Sequence, residues 1–154
     1  MKFGINILRV PALAIIALLF AAPATAASVE RNIDNFGIAV AGYDPVAYFE
    51  IGKPVKGSAS HALEHDDATY HFVNKKHRDL FSENPEKYTP AYGGWCSFGM
   101  RYDQKSRVDP HSWDIVDGKL YLTLNGGTRA VWRQKIAENI SVADKLWKKI
   151  FVKN

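Results

Sequence analysis

Cysteine is almost absent from this chain of 154 residues, since Cys96 is the only one. A single thiol cannot form an intramolecular disulfide, which excludes a small disulfide-stapled scaffold. An excess of one charge is also missing, because the formal net charge of +4 falls to +2 when Lys2 and Arg9 of the N-terminal leader are left out. We therefore expect a globular protein that does not bind nucleic acid.

The first 26 residues have the features of a secretory signal peptide. Their two basic residues, Lys2 and Arg9, come before an apolar run over residues 10–22, and Ala24-Thr25-Ala26 offers the small residues that a signal peptidase requires. The apolar run is shorter than the roughly 20 residues of a transmembrane helix. The sequence therefore predicts cleavage after residue 26, a periplasmic or secreted location, and no membrane span after cleavage.

Residues 27–154 contain no evident repeat or low-complexity tract. Residues 27–35 are polar and are expected to be a loose start, and residues 36–154 are expected to form one domain. Asp66-Asp67 and Asp117-Gly118 are suited to two-residue hairpin turns. They predict strands over 61–65, 68–73, 113–116 and 119–124, with His61, Leu63, His65, Tyr70 and Phe72 on the core face of the first hairpin.

Helix signals surround both predicted hairpins. Asn74 is a good N-cap for a helix ending near Glu83, and a helical turn follows over 85–88. Two helices are expected at the end of the chain, over 128–138 and 141–151, the second with an apolar stripe that includes Trp147. Strands and helices mixed in this way indicate a small α+β domain.

Four motifs then carry a resemblance to a known family: Gly42-Tyr43-Asp44-Pro45-Val46-Ala47-Tyr48-Phe49, Tyr70-His71-Phe72, Asn84-Pro85-Glu86-Lys87-Tyr88 and Tyr92-Gly93-Gly94-Trp95-Cys96. As a set they resemble the exported YHS-domain proteins, over residues 37–124. That resemblance implies binding of a transition metal. Members fused to heavy-metal transport ATPases carry metal-binding cysteines where this chain has Ala47, Val73 and His77.

The residues themselves suggest a metal site centred on Cys96, which is the only soft anionic ligand available. His77 is the expected second ligand because it occupies a family cysteine position. His71 is the expected third, since it precedes His77 on the adjoining strand. Copper or zinc would suit such a set of sulfur and nitrogen donors, and the partner would be the metal ion or an envelope protein.

Other functions stay open on the sequence alone. Cys96 is equally suited to being a small buried side chain. The aromatic residues Tyr92, Trp95, Phe98, Tyr102 and Trp113 suggest a domain that binds a non-metal ligand or another protein. A thiol enzyme is less favoured, because nothing at fixed spacing identifies a base for Cys96, and we expect no catalytic activity.

Overall fold

Two β-hairpins, each followed by a helix, form the framework of the domain. The computed structural model describes residues 30–152 together with Met1, and side chains as far as Lys149; the predicted signal peptide and its cleavage site lie outside the described residues. The elements, in chain order, are a 3₁₀ turn Val40–Gly42, α1 Ala47–Glu50, β1 Ser58–His65, β2 Ala68–Phe72, α2 Lys75–Glu83, α3 Pro85–Tyr88, a 3₁₀ turn Ala91–Gly94, α4 Ser97–Met100, β3 Asp109–Val116, β4 Lys119–Thr123, α5 Gly126–Gln134 and α6 Ile136–Val152.

Both hairpin turns form where the sequence predicts them. β1 and β2 are antiparallel with His65 opposite Ala68, and β3 and β4 are antiparallel with Val116 opposite Lys119. All four central turn residues, at 66–67 and 117–118, have positive φ, as a type I′ turn requires. The first strand of each hairpin begins earlier than predicted, because pairing resumes beyond an irregularity in the register.

Asparagine side chains set the helix ends. Asn74 accepts the backbone N–H of residue 77 and caps α2 as predicted. Asn125 caps α5 in the same way, so this helix begins at Gly126 rather than at residue 128. The predicted break at 138–141 is also wrong, because α5 ends at Gln134 with Lys135 as its C-cap, and the buried Asn139 donates to the Trp132 carbonyl near that end.

The second half of the domain repeats the first with a shift of 51 residues. β3 (109–116) begins and ends 51 positions after β1 (58–65), and the same shift relates β4 to β2 and α5 to α2. The register irregularities correspond as well, lying between residues 58 and 62 and between 109 and 113. Few residues match: Gly42 and Gly93, Asp66 and Asp117, Tyr70 and Tyr121, Asn74 and Asn125, and Arg78 and Arg129. The expectation of no repeat was therefore wrong at the level of structure.

Two hydrophobic clusters hold these units together in one α+β domain. The first packs Tyr70 and Phe72 against Phe81, which confirms the predicted core face of the first hairpin, although Leu63 and His65 on that face are only half-buried. The second cluster surrounds the fully buried Trp132 and contains Tyr92, Met100, Tyr121 and Ala143. Within residues 30–152, no helix combines the length and apolar character needed to cross a membrane.

Candidate ligand-binding cleft

Cys96 lies in the interior, at the start of α4. Its side chain is only 2% exposed, and its Sγ accepts the backbone N–H of Gly99 at 3.4 Å. Its own N–H donates to the Ser106 carbonyl. These contacts are those of a small buried side chain that caps a short helix.

His77 is held by the buried carboxylate of Asp44, which sequence analysis named only as part of a family motif. The Nδ1 atom of His77 lies 2.7 Å from Oδ2 of Asp44, whose side chain is fully buried. Asp44 also accepts the backbone N–H groups of Val46, Ala47 and Val73. It therefore joins the start of α1, the end of β2 and the first turn of α2.

The three predicted metal ligands do not form one donor set. His71 is half-buried on β2, where its Nδ1 lies beside Gly42. No hydrogen bond or ion pair within residues 30–149 connects Cys96 to either His71 or His77. Over the same residues, no group of three or more histidine, cysteine, aspartate and glutamate side chains is arranged to hold a metal ion.

The predicted aromatic cluster is divided among several neighbourhoods. Trp113 contacts Tyr48 in the first hydrophobic cluster, while Phe98 contacts Tyr102. Tyr92 instead faces Tyr121 and Trp147, each with a ring-centre separation of 5.9 Å. Of the five predicted aromatic residues, Tyr92 lines a cleft that could receive a ligand.

That feature is a cleft of about 290 Å³ between the two hairpins and α6, which we name the first cleft. Its aromatic surface comes from Tyr92, Tyr121 and Trp147. The remaining lining residues are polar, charged or small: Arg31, His65, Asp66, Glu86, Thr89, Ala91, Lys119 and Asp144. Because these residues come from elements far apart in the sequence, local pattern could not have identified the site.

Comparison with protein-family models, with curated proteins and with solved structures finds no match to this chain. The function must therefore be argued from the site itself, and the resemblance to exported YHS-domain proteins stays a prediction.

Arg31 lines the first cleft and belongs to residues 30–34, which we name the strap. Asn32 donates its backbone N–H to the Gly93 carbonyl at 2.8 Å and its side-chain amide to the Gly94 carbonyl at 3.0 Å. A Cβ atom on Gly93, where φ is +61°, would lie 2.7 Å from the Glu30 carbonyl oxygen. The absence of a side chain at Gly93 therefore allows the strap to approach this turn.

Several polar and charged side chains of the first cleft are hydrogen-bonded to one another. Arg31 donates to both the carbonyl and the carboxylate of Asp66, and its side chain is 8% exposed. Tyr92 donates its hydroxyl to Oδ1 of Asp144 at 2.9 Å. Burial, and then this hydrogen bond, raise the pKa of Tyr92 well above its ordinary value, so the hydroxyl keeps its proton.

The repeat provides an internal comparison for this site. A second cleft, lined in part by Val116, Asp117, Ala137 and Ile140, occupies the corresponding place in the second half of the domain. With the shift of 51 residues, these positions match His65, Asp66, Glu86 and Thr89 of the first cleft.

Each cleft is lined by an aspartate of its hairpin turn, Asp66 in the first and Asp117 in the second. Three apolar side chains of the second cleft, in contrast, correspond to three polar side chains in the first. The second unit of the repeat therefore folds with apolar residues at those three positions.

Proposed function

We propose that this protein is an exported binding module of the cell envelope and that the first cleft receives a small-molecule ligand. The observation that carries this proposal is the polar character of His65, Glu86 and Thr89, where the repeated unit has apolar residues. Thr89 donates its hydroxyl to the Pro85 carbonyl at 2.8 Å, and His65 Nε2 lies 3.3 Å from Oδ2 of Asp66, so Glu86 is the side chain of the three that is available to orient a ligand. The cleft also has the usual composition of a small-molecule site, with aromatic surface and a few polar groups.

Export is the part of this proposal that rests on the leader and on the resemblance to exported YHS-domain proteins. N-terminal sequencing of the exported protein tests it, and we expect the mature chain to begin at Ala27 or within a few residues of it. A full-length product that remains embedded in the membrane would contradict it.

The ligand site is tested by exchanging cleft residues for their counterparts in the repeated unit. We expect the double variant His65→Val, Glu86→Ala to fold, because the second unit has valine and alanine at the matching positions. Wild-type and variant proteins are titrated with a set of aromatic fragments of mixed charge, and backbone and indole signals are followed by NMR. Binding fragments should shift signals of residues 86–92, 119–121 and 144–147 in the wild type and affect the variant much less.

A matched control is Lys145→Ala, which changes the second cleft only and should leave fragment binding intact. Fragment shifts that centre on the second cleft, or that survive the double substitution at full size, would contradict a ligand site in the first cleft.

Copper or zinc binding is a second proposal, favoured by the contact between Asp44 and His77. A carboxylate that holds one ring nitrogen of a histidine is the usual outer partner of a metal-binding imidazole, and it directs the other nitrogen toward the metal. The test is titration of copper(I) and zinc(II) into wild type, His77→Ala and Cys96→Ser at fixed pH. Weaker binding by His77→Ala would support the proposal, and equal affinity in all three proteins would rule out these residues as ligands.

A further inference from the structure

We propose that the first cleft selects an organic cation, a protonated or quaternary amine that carries an apolar group. This inference rests on the proposed ligand-binding function and adds the chemical class of the ligand. It follows from the charges that remain when internal ion pairs are set aside, and from the aromatic rings beside them.

The internal pairing removes the strongest cation of the cleft from consideration. Arg31 is largely buried and directs its guanidinium at Asp66, with one further contact to the Tyr70 hydroxyl. A guanidinium in this position neutralises Asp66 and has little capacity left for a ligand anion.

The side chains that lack a counter-ion give the cleft a negative balance. Among the described residues, Glu86 has no hydrogen bond or ion pair, Asp144 has only the Tyr92 hydroxyl, and Lys119 has no partner. Two carboxylates therefore face one ammonium group. A positively charged ligand would reduce this imbalance, while an anionic ligand would increase it.

The aromatic residues supply the second half of the recognition. The ring of Tyr92 lies edge to face with Trp147 and at a tilt to Tyr121, and all three residues line the cleft. Ring faces attract cations, and tryptophan does so most strongly. Asp144 is attached to this aromatic group through the Tyr92 hydroxyl, so a carboxylate and aromatic rings border the cleft at one place.

The orientation of Asp144 is fixed by a donor that does not titrate near neutral pH. Tyr92 donates to Oδ1 of Asp144, which leaves Oδ2 without a partner among the described residues. Because the tyrosine hydroxyl keeps its proton, the free oxygen stays available for an ammonium group.

The experiment compares three probes that share a phenyl group and differ in charge: 2-phenylethylamine, 2-phenylethanol and 3-phenylpropionate. Affinities are measured by calorimetry, and binding at the first cleft is verified from NMR shifts of the Trp147 indole and the Thr89 amide. We expect the amine to bind about tenfold more tightly than the alcohol, and the acid to bind most weakly.

Two matched substitutions then identify the carboxylate. Asp144→Asn removes a charge that borders both clefts, and it should reduce amine affinity about tenfold without changing affinity for the alcohol. Asp117→Asn removes a carboxylate from the second cleft in a turn where asparagine is well suited, and it should leave amine affinity unchanged.

The outcomes separate this inference from the function on which it rests. Equal affinity for the amine and the alcohol, or a preference for the acid, would overturn cation selection while leaving a ligand site in the first cleft. Absence of shifts at the cleft with all three probes would overturn both. Equal loss of amine affinity in Asp144→Asn and Asp117→Asn would overturn the role given to Asp144.

Discussion

Replacing Asp44 by asparagine tests how the first half of the domain is held together. The two carboxylate oxygens of Asp44 have separate tasks. Oδ1 accepts the N–H groups of Val46 at 2.8 Å and Ala47 at 3.2 Å, and Oδ2 accepts Val73 N–H at 2.9 Å and His77 Nδ1 at 2.7 Å. Asparagine keeps one acceptor oxygen, but its amide group donates hydrogen and cannot accept it.

The magnitude follows from the donors left without an acceptor. In Asp44→Asn, the amide nitrogen takes the place of one oxygen, and His77 can turn its ring nitrogen from donor to acceptor, which leaves the Val73 N–H unpaired. A buried unsatisfied donor costs about 1–3 kcal/mol, and the lost charge assistance adds to it, so we expect a loss of about 2–3 kcal/mol. Asp44→Ala removes all four acceptor contacts and should cost about 4–5 kcal/mol.

The assay is urea unfolding followed by tryptophan fluorescence, with the m-value checked for constancy between variants. Asp67→Asn is the matched control, because Asp67 is exposed in a turn at φ +60°, where asparagine is tolerated, and its effect should stay below about 0.5 kcal/mol. The reasoning would be refuted by an Asp44→Asn variant as stable as the control. It would also be refuted if Asp44→Ala were no less stable than Asp44→Asn.

Three further predictions concern the glycine pair, the second core and one ion pair. Gly94→Ala adds backbone strain only and should lower the free energy of unfolding by about 1 kcal/mol. Gly93→Ala also clashes with the Glu30 carbonyl and should cost clearly more in the same urea assay. Equal costs for the two variants would mean that the strap moves away from the added methyl group at little energetic cost. Trp132 is fully buried, so Trp132→Ala should lower the free energy of unfolding by about 3–5 kcal/mol, and a loss below about 1 kcal/mol would contradict its central position. Burial favours a raised pKa for Asp114, but hydrogen bonds from two arginines of α5 outweigh it and lower that pKa, so its stabilisation is present above pH 4 and is lost as the pH falls through the lower, folded-state pKa. The difference in unfolding free energy between wild type and Asp114→Asn should therefore shrink from pH 6 to pH 3, and a constant difference would refute this ion-pair argument.

The parts of the fold that depend on neighbouring residues could be predicted from the sequence. Turns at 66–67 and 117–118 follow from residue types that tolerate positive φ, and the cap by Asn74 follows from its place before a helix. The end of α5 could not be predicted in this way, because Asn139 reaches back to the Trp132 carbonyl from the next helix. The repeat was hidden because nearly all matching positions carry different side chains on the same backbone.

The candidate site was less accessible to sequence reasoning. Tyr92 was recognised as one of a set of aromatic residues, but its ring partner Tyr121 lies on β4 and its hydroxyl partner Asp144 lies 52 positions along the chain. His77 was recognised as a residue with chemistry, yet its partner Asp44 is 33 positions away. Such pairings arise from tertiary packing, and the spacing of residues along the sequence does not predict them.

The strap has a consequence for the order in which the protein opens and closes. The side-chain hydrogen bonds that hold Glu30, Arg31 and Asn32 join residues 35 to 75 positions apart, whereas each hairpin closes across a two-residue turn. Contacts of long sequence separation form late in folding, and a segment held by few backbone hydrogen bonds opens at a lower free energy than a paired strand. Amide hydrogen exchange at Asn32 should therefore be faster than exchange in β2 and β4. It would report the release of the segment that brings Arg31 to the first cleft while the rest of the domain remains folded.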